Sequence, residues 1–172
     1  MPDTFNGPAK TNRAATLVHT VHDPLGTVAQ FYHFSAERVV YVRWCGHVTR
    51  DEVIHVAEEG LRVNRQFQPL GLLSDARGTS GDWGDADPWL TYARIPAMKA
   101  KSLRVYAFVL DPDTPVPYAN AQVFEQLDKE FDFRTFFAVA PGWHWLRQRT
   151  SPLLALPGVQ GSERAMKFAG QR

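Results

Sequence analysis

The segment from Thr49 to Phe67 restricts the fold of this chain more than any other. Thr49 followed three residues later by Glu52 is a capping box: hydroxyl and carboxylate each take up a backbone N–H at a helix start. Over about Arg50 to Phe67, Val53, Ala57, Gly60, Leu61, Asn64 and Phe67 fall on one stripe. Asp51, His55, Glu58, Glu59, Arg62 and Gln66 occupy the opposite face, with Glu58 and Arg62 in the favourable i,i+4 order. Gly60 costs the helix about 1 kcal/mol relative to alanine, which marks a place where its backbone approaches a sheet. Such a stripe must cover something, and the flanking runs supply it. Val39 to Trp44 precedes the helix, and Gly71 to Asp75 follows it after Pro69.

The remaining segments extend this order. Val28 to Phe34 and Val39 to Trp44 are β-branched and aromatic runs, and Ser35–Arg38 between them makes a hairpin. In the second run Val40, Val42 and Trp44 share one face, and Tyr41, Arg43 and Cys45 the other. Leu17 to Val21 is read as a short strand or an extended lead-in ending at Pro24. Asp87 as N-cap and Pro88 at the first helical position predict a second helix with Trp89, Tyr92, Ala93, Pro96 and Ala97 on one face, broken or kinked at Pro96. Leu103 to Leu110 is apolar almost throughout, as a buried parallel strand is, and Asp111–Pro115 is a turn cluster. A third helix is predicted over roughly Ala119 to Phe131, with Val123, Phe124, Leu127 and Phe131 inward. A last strand over Phe133–Val139 leads into a short helix packing Val139, Trp143 and Leu146.

The alternation predicts an α/β fold: a single mixed, mostly parallel sheet with an N-terminal β-hairpin and about four helices. One domain is expected over residues 16–149, after a flexible lead-in at 1–15 and before a mostly disordered tail at 150–172. Hydrophobic residues at 44% and charged residues at 22% suit a globular chain, and a net charge of +1 gives no electrostatic footprint for nucleic acid. Met1 to Ala15 lacks the apolar run of a signal peptide, and no run is long enough to span a bilayer. Cys45 is the one cysteine. A soluble, cytoplasmic protein is the expectation.

Ligand sites in open α/β sheets lie at the carboxyl ends of strands, which directs attention to Gly71–Trp89. Here Leu72-Leu73 ends in Ser74-Asp75 and a loop rich in glycine and aspartate. The candidate binding residues are Asp75, Arg77, Thr79, Ser80, Asp82 and Trp83. Thr79 and Ser80 are either phosphate acceptors or ordinary loop hydroxyls. Asp75, Asp82, Asp85 and Asp87 form an acidic cluster, but its spacing is not that of an EF-hand, so no metal is assigned. His47, Asp51 and His55 read as a solvated helix surface, Cys45 as a small buried filler, and Trp89 and Trp143 as core. Trp83, in the loop, either buries as a lid or anchors a partner.

The order of parts resembles the SpoIIAA-like (STAS/Sec14-type) domain family of bacteria. The resemblance rests on Val40-Tyr41-Val42-Arg43-Trp44-Cys45-Gly46-His47-Val48-Thr49, on Gly71-Leu72-Leu73-Ser74-Asp75, and on Phe133–Phe137 followed by Trp145-Leu146. It implies a small domain without catalytic residues or cofactor, used to regulate a protein partner or to hold an apolar ligand. The family's phosphorylated Asp-Ser-x-Gly loop has its nearest equivalent in Gly78-Thr79-Ser80-Gly81, which lacks the preceding aspartate. The leading expectation is therefore a regulatory module that docks a protein through 71–89. The alternatives are a Sec14-like carrier with a cavity under Trp83–Ile95, and a hydrolase using Asp75 with Arg77 or a histidine.

Overall fold

The computed structural model describes residues 15–81, 84–112 and 121–155. Six strands form one sheet in the order β1 to β6: β1 (Thr16–Asp23), β2 (Gly26–Phe34), β3 (Val39–Trp44), β4 (Gly71–Asp75), β5 (Val105–Val109) and β6 (Asp132–Phe136). The first three pair antiparallel, and β3 through β6 pair parallel. This is the mixed, mostly parallel sheet that the alternation predicts. β4 and β5 are buried along their whole length, because helices cover both of their faces.

Helix α1 (Arg50–Phe67) starts on the predicted capping box, with both of its hydrogen bonds formed. It is followed by α2 (Asp87–Trp89), α3 (Ile95–Lys99), α4 (Ala121–Glu130) and α5 (Val139–Leu154). Two cores result. On one face, Val40, Val42, Trp44, Leu72, Tyr106 and Phe108 of the sheet pack against α1, α3 and α4. On the other face α5 alone brings Val139, Trp143, Trp145 and Leu146 onto Tyr41, Leu73, Val105, Ala107 and Val109. Gly71 lets α5 come close, since a Cβ there would stand 2.9 Å from Leu146. Gly60 lies against Phe31 in the same manner, 3.4 Å from its ring.

Several boundaries and faces differ from expectation. Asp87 is not an N-cap but the first residue of α2. A 3₁₀ turn over Gly84–Ala86 feeds the helix, Ala86 is the cap, and Pro88 falls in the first turn without being its first residue. Leu90–Arg94 is a π turn joining α2 to α3, and Pro96 follows it in the first turn of α3. The wider turn accommodates a residue that cannot donate its N–H, so the helix continues where a break is expected. It also rotates the segment: Leu90, Thr91, Ile95 and Met98 are buried, Tyr92, Ala93 and Pro96 are exposed, and Trp89 is half-buried.

Glu59 is buried against β1 instead of solvated. His19 and Arg62 hold its carboxylate at 3.0 and 2.5 Å, so Arg62 pairs with Glu59 and not with Glu58. β6 ends at Phe136, and Val139 already belongs to α5. That helix is long rather than short. It continues through Thr150, which is buried with its hydroxyl donating to the Leu146 carbonyl at 3.0 Å, so the helix, ending at Leu154, runs five residues beyond the expected domain end at 149. Cys45 is half-buried. The lead-in up to Ala14 and residues 156–172 lie outside the described residues. Among the described residues no helix is long and apolar enough to cross a membrane.

Candidate functional site: the loop after the central strand

Strand alternation turns Leu73 and Asp75 toward α5, and Leu72 and Ser74 toward α1. Asp75 closes β4 at 4% exposure, and its carboxylate is fully engaged. The Tyr41 hydroxyl donates to Oδ2 at 2.8 Å. Arg77 reaches back from two residues on, donating Nε to Oδ1 at 2.8 Å and Nη2 to Oδ2 at 2.9 Å, with its backbone N–H on Oδ1 at 3.2 Å. This is the bidentate pairing that a planar guanidinium favours. Burial, and then the adjacent Asp75 charge, push the Tyr41 hydroxyl far above its ordinary value, so it remains a donor. The hydrogen bond to Asp75 raises the Arg77 guanidinium further, against the opposing effect of its partial burial. On the other sheet face the Trp44 indole N–H donates to Ser74 Oγ at 2.9 Å.

The loop itself is clamped between neighbouring strand ends. The Ala76 N–H donates to the Val109 carbonyl at 3.0 Å, and the Gly78 N–H to Asp111 Oδ2 at 3.4 Å. The Thr79 hydroxyl and N–H both turn back onto the Ala76 carbonyl. Ser80 pairs with the segment after β3: its N–H donates to the Gly46 carbonyl at 3.1 Å, and its carbonyl accepts from the Val48 N–H at 2.9 Å. Gly81 completes this clamp at φ +119°, and a Cβ there would fall 2.0 Å from the Val48 carbonyl oxygen. Only glycine fits.

Of the six candidate residues, the structure joins Asp75 to Arg77 as an internal pair and leaves Ser80 exposed. Thr79, expected on the binding surface, is instead 7% exposed with its hydroxyl spent on the turn. Asp82 and Trp83 lie outside the described residues. Tyr41 was not among the candidates; the parallel register of β3 against β4 brings it to Asp75, and a single sequence does not encode that register. His47, expected on a solvated helix surface, is exposed and its Nδ1 lies 3.0 Å from Ser80 Oγ. Both side chains are exposed, and among the described residues no carboxylate is bonded to the other ring nitrogen. The base–orienter arrangement of a hydrolase is not assembled there. Among the described residues no group of three or more His, Cys, Asp or Glu side chains stands together as metal ligands.

Beneath the α2–α3 segment the core is nearly filled. One void of about 40 Å³ lies among Trp44, Ile95, Tyr106, Phe108, Phe124 and Leu127. A second of about 20 Å³ lies among Phe31, Val42, Val63, Leu72, Leu103 and Asn64. Arg94 and Met98 line both. An apolar cavity that accepts benzene measures about 150 Å³, so these voids are of water size. The strand order never reverses, so the switch point that opens a crevice in doubly wound sheets does not arise. No family model matches this chain, and neither does any curated protein or solved structure.

Proposed function

We propose that this chain is a binding and regulatory module of STAS-like type, without catalytic chemistry, that docks a protein partner through the loop after its central strand. The observation that carries the reading is the clamp on residues 76–81. Hydrogen bonds to the ends of β3 and β5, the Arg77–Asp75 pair and the Gly81–Val48 contact hold the loop in one shape. A surface already held in its bound form loses less entropy on association. The exposed edge it offers consists of Arg77, Gly78 and Ser80, with Gly46 and His47 alongside. The nearly filled core favours docking over a carrier with an enclosed lipid chamber.

The test is quantitative affinity capture from lysate with the wild type, Ser80→Arg, Trp83→Ala, and a control charge reversal at exposed Arg65 on α1. Loss of a defined partner with the two loop variants, and its retention with the control, supports the reading. Identical captured sets for all four proteins refute it.

A further inference from the structure

Independently of the docking loop, we infer that the outer edge of β6, together with α4, is a docking site for an extended peptide that adds to the sheet as a further strand. Toward α4 the peptide carries an apolar residue and a lysine or arginine two positions apart. An acidic residue stands between them, on its other face.

The two edges of the sheet are built differently. β1 is interrupted between Leu17 and His19 and again between Val21 and His22, and such irregularities discourage further pairing. β6 runs along β5 without interruption, contains neither proline nor lysine, and among the described residues pairs with nothing on its other side. Its backbone groups can be assigned one by one. The Asp132 N–H donates to the Arg104 carbonyl and the Phe136 carbonyl accepts from the Leu110 N–H, so alternate residues from 132 to 136 face β5. Phe133 and Thr135 therefore turn their N–H and C=O groups outward. No residue of β6 is buried, whereas β4 and β5 are buried throughout. Phe137, at 62% exposure, extends the apolar run past the strand.

Beside this edge lies an open groove of about 500 Å³, lined by Phe124, Glu125 and Asp128 of α4 and by residues 133–135 of β6. Phe124 and Phe133, with ring centroids 5.6 Å apart, supply its apolar part. Glu125 and Asp128 are exposed and make no ion pair among the described residues. Alternation sends the Arg134 side chain to the opposite face, the one on which Asp132 meets Arg149 and Phe136 meets Trp145. Charge selects the occupant. A second copy joined through β6 about a two-fold axis would place both α4 helices on one face, with Glu125 and Asp128 against the same pair, and like charges so placed are destabilising. A basic side chain on an incoming peptide answers them, and an acidic one answers Arg134.

The experiment is a fluorescence anisotropy titration of the full chain with a labelled peptide, Ser-Thr-Leu-Glu-Lys-Thr-Ser, at constant ionic strength. Saturable binding is expected. Joint replacement Glu125→Lys and Asp128→Lys, both at exposed positions, should weaken it about fivefold, and the same peptide with glutamate in place of its lysine should then bind better than the original. Two further peptides carry N-methyl groups on alternate residues, one on leucine and lysine, the other on the threonines and glutamate. One should bind and the other should not, because only one set of N–H groups can face β6. Thr135→Pro removes an outward donor that β5 does not use and should also weaken binding; the methylated peptides keep the test decisive should that variant fail to fold. Unchanged affinity in the doubly substituted protein, or equal binding of the two methylated peptides, would overturn the inference. No saturable binding by the wild type would also overturn it: a sedimenting dimer that Thr135→Pro dissociates then assigns the edge to a second copy, and a monomer shows that the chain covers the edge itself. None of these outcomes bears on the loop, which is tested by capture.

Discussion

Replacing Tyr41 with phenylalanine isolates one hydrogen bond and little else. Tyr41 is 2% exposed, and phenylalanine keeps its ring packing in the α5-side core. What is removed is a donor 2.8 Å from a carboxylate oxygen that is itself buried. Hydrogen bonds to charged groups contribute about 1.5–3 kcal/mol, against about 1 for neutral pairs. Arg77 keeps both of its own bonds to Asp75, so the carboxylate stays partly compensated and the expected loss is about 2 kcal/mol. Urea denaturation at neutral pH, read by tryptophan fluorescence, measures this as a lower midpoint at unchanged slope. In an Asp75→Asn background the acceptor is neutral, and the same substitution should cost only about 1 kcal/mol, leaving a coupling of about 1 kcal/mol. A loss below about 0.5 kcal/mol, or an equal loss in both backgrounds, would show that Tyr41 does not hold the base of the loop.

Gly81→Ala should cost about 3 kcal/mol, from a strained φ and the two Ser80 hydrogen bonds that its Cβ displaces, measured by the same denaturation. Thr49→Ala removes half of the capping box and should cost about 1 kcal/mol, with the loss visible in thermal melts. His33 is half-buried against Phe67, and burial followed by the Arg38 charge lowers it below its ordinary 6.5. The unfolded chain therefore binds this proton first, and stability should fall as pH drops below 6.5 toward the depressed native value. His33→Phe should flatten that part of the pH–stability profile, and an unchanged slope would count against the assignment. Tyr41 is raised by the same burial, which disfavours its anion, and by the Asp75 charge beside it, so stability should decline as pH rises above its ordinary 10.0. Alkaline difference spectra of the wild type and Tyr41→Phe show whether its ionisation waits for unfolding.

Local patterning was sufficient for much of this architecture. The Thr49–Glu52 pair, the helical period of α1 and the apolar run at Leu103–Leu110 each depend on neighbours in the chain; the capping box and β5 (Val105–Val109) are seen there, while α1 buries Val56, Glu59 and Val63 beside the expected Val53, Ala57 and Asn64. The misplacements have physical causes of a longer range. A π turn ahead of Pro96 rotates the second helical segment and turns Tyr92 outward, since the backbone can widen a turn as an alternative to breaking it. Glu59 looks solvated until β1 presents His19 to it. At the candidate site the residue types at positions 75–81 announced a loop, but only strand register decided what they do. That register set Tyr41 beside Asp75 and Ser80 beside Gly46 and His47; Thr79 is buried as a support of the turn, and exposed Arg77 folds back onto Asp75. Asn64 and Arg94 are thirty residues apart, and their meeting around one void depends on how two helices pack, which no local period carries.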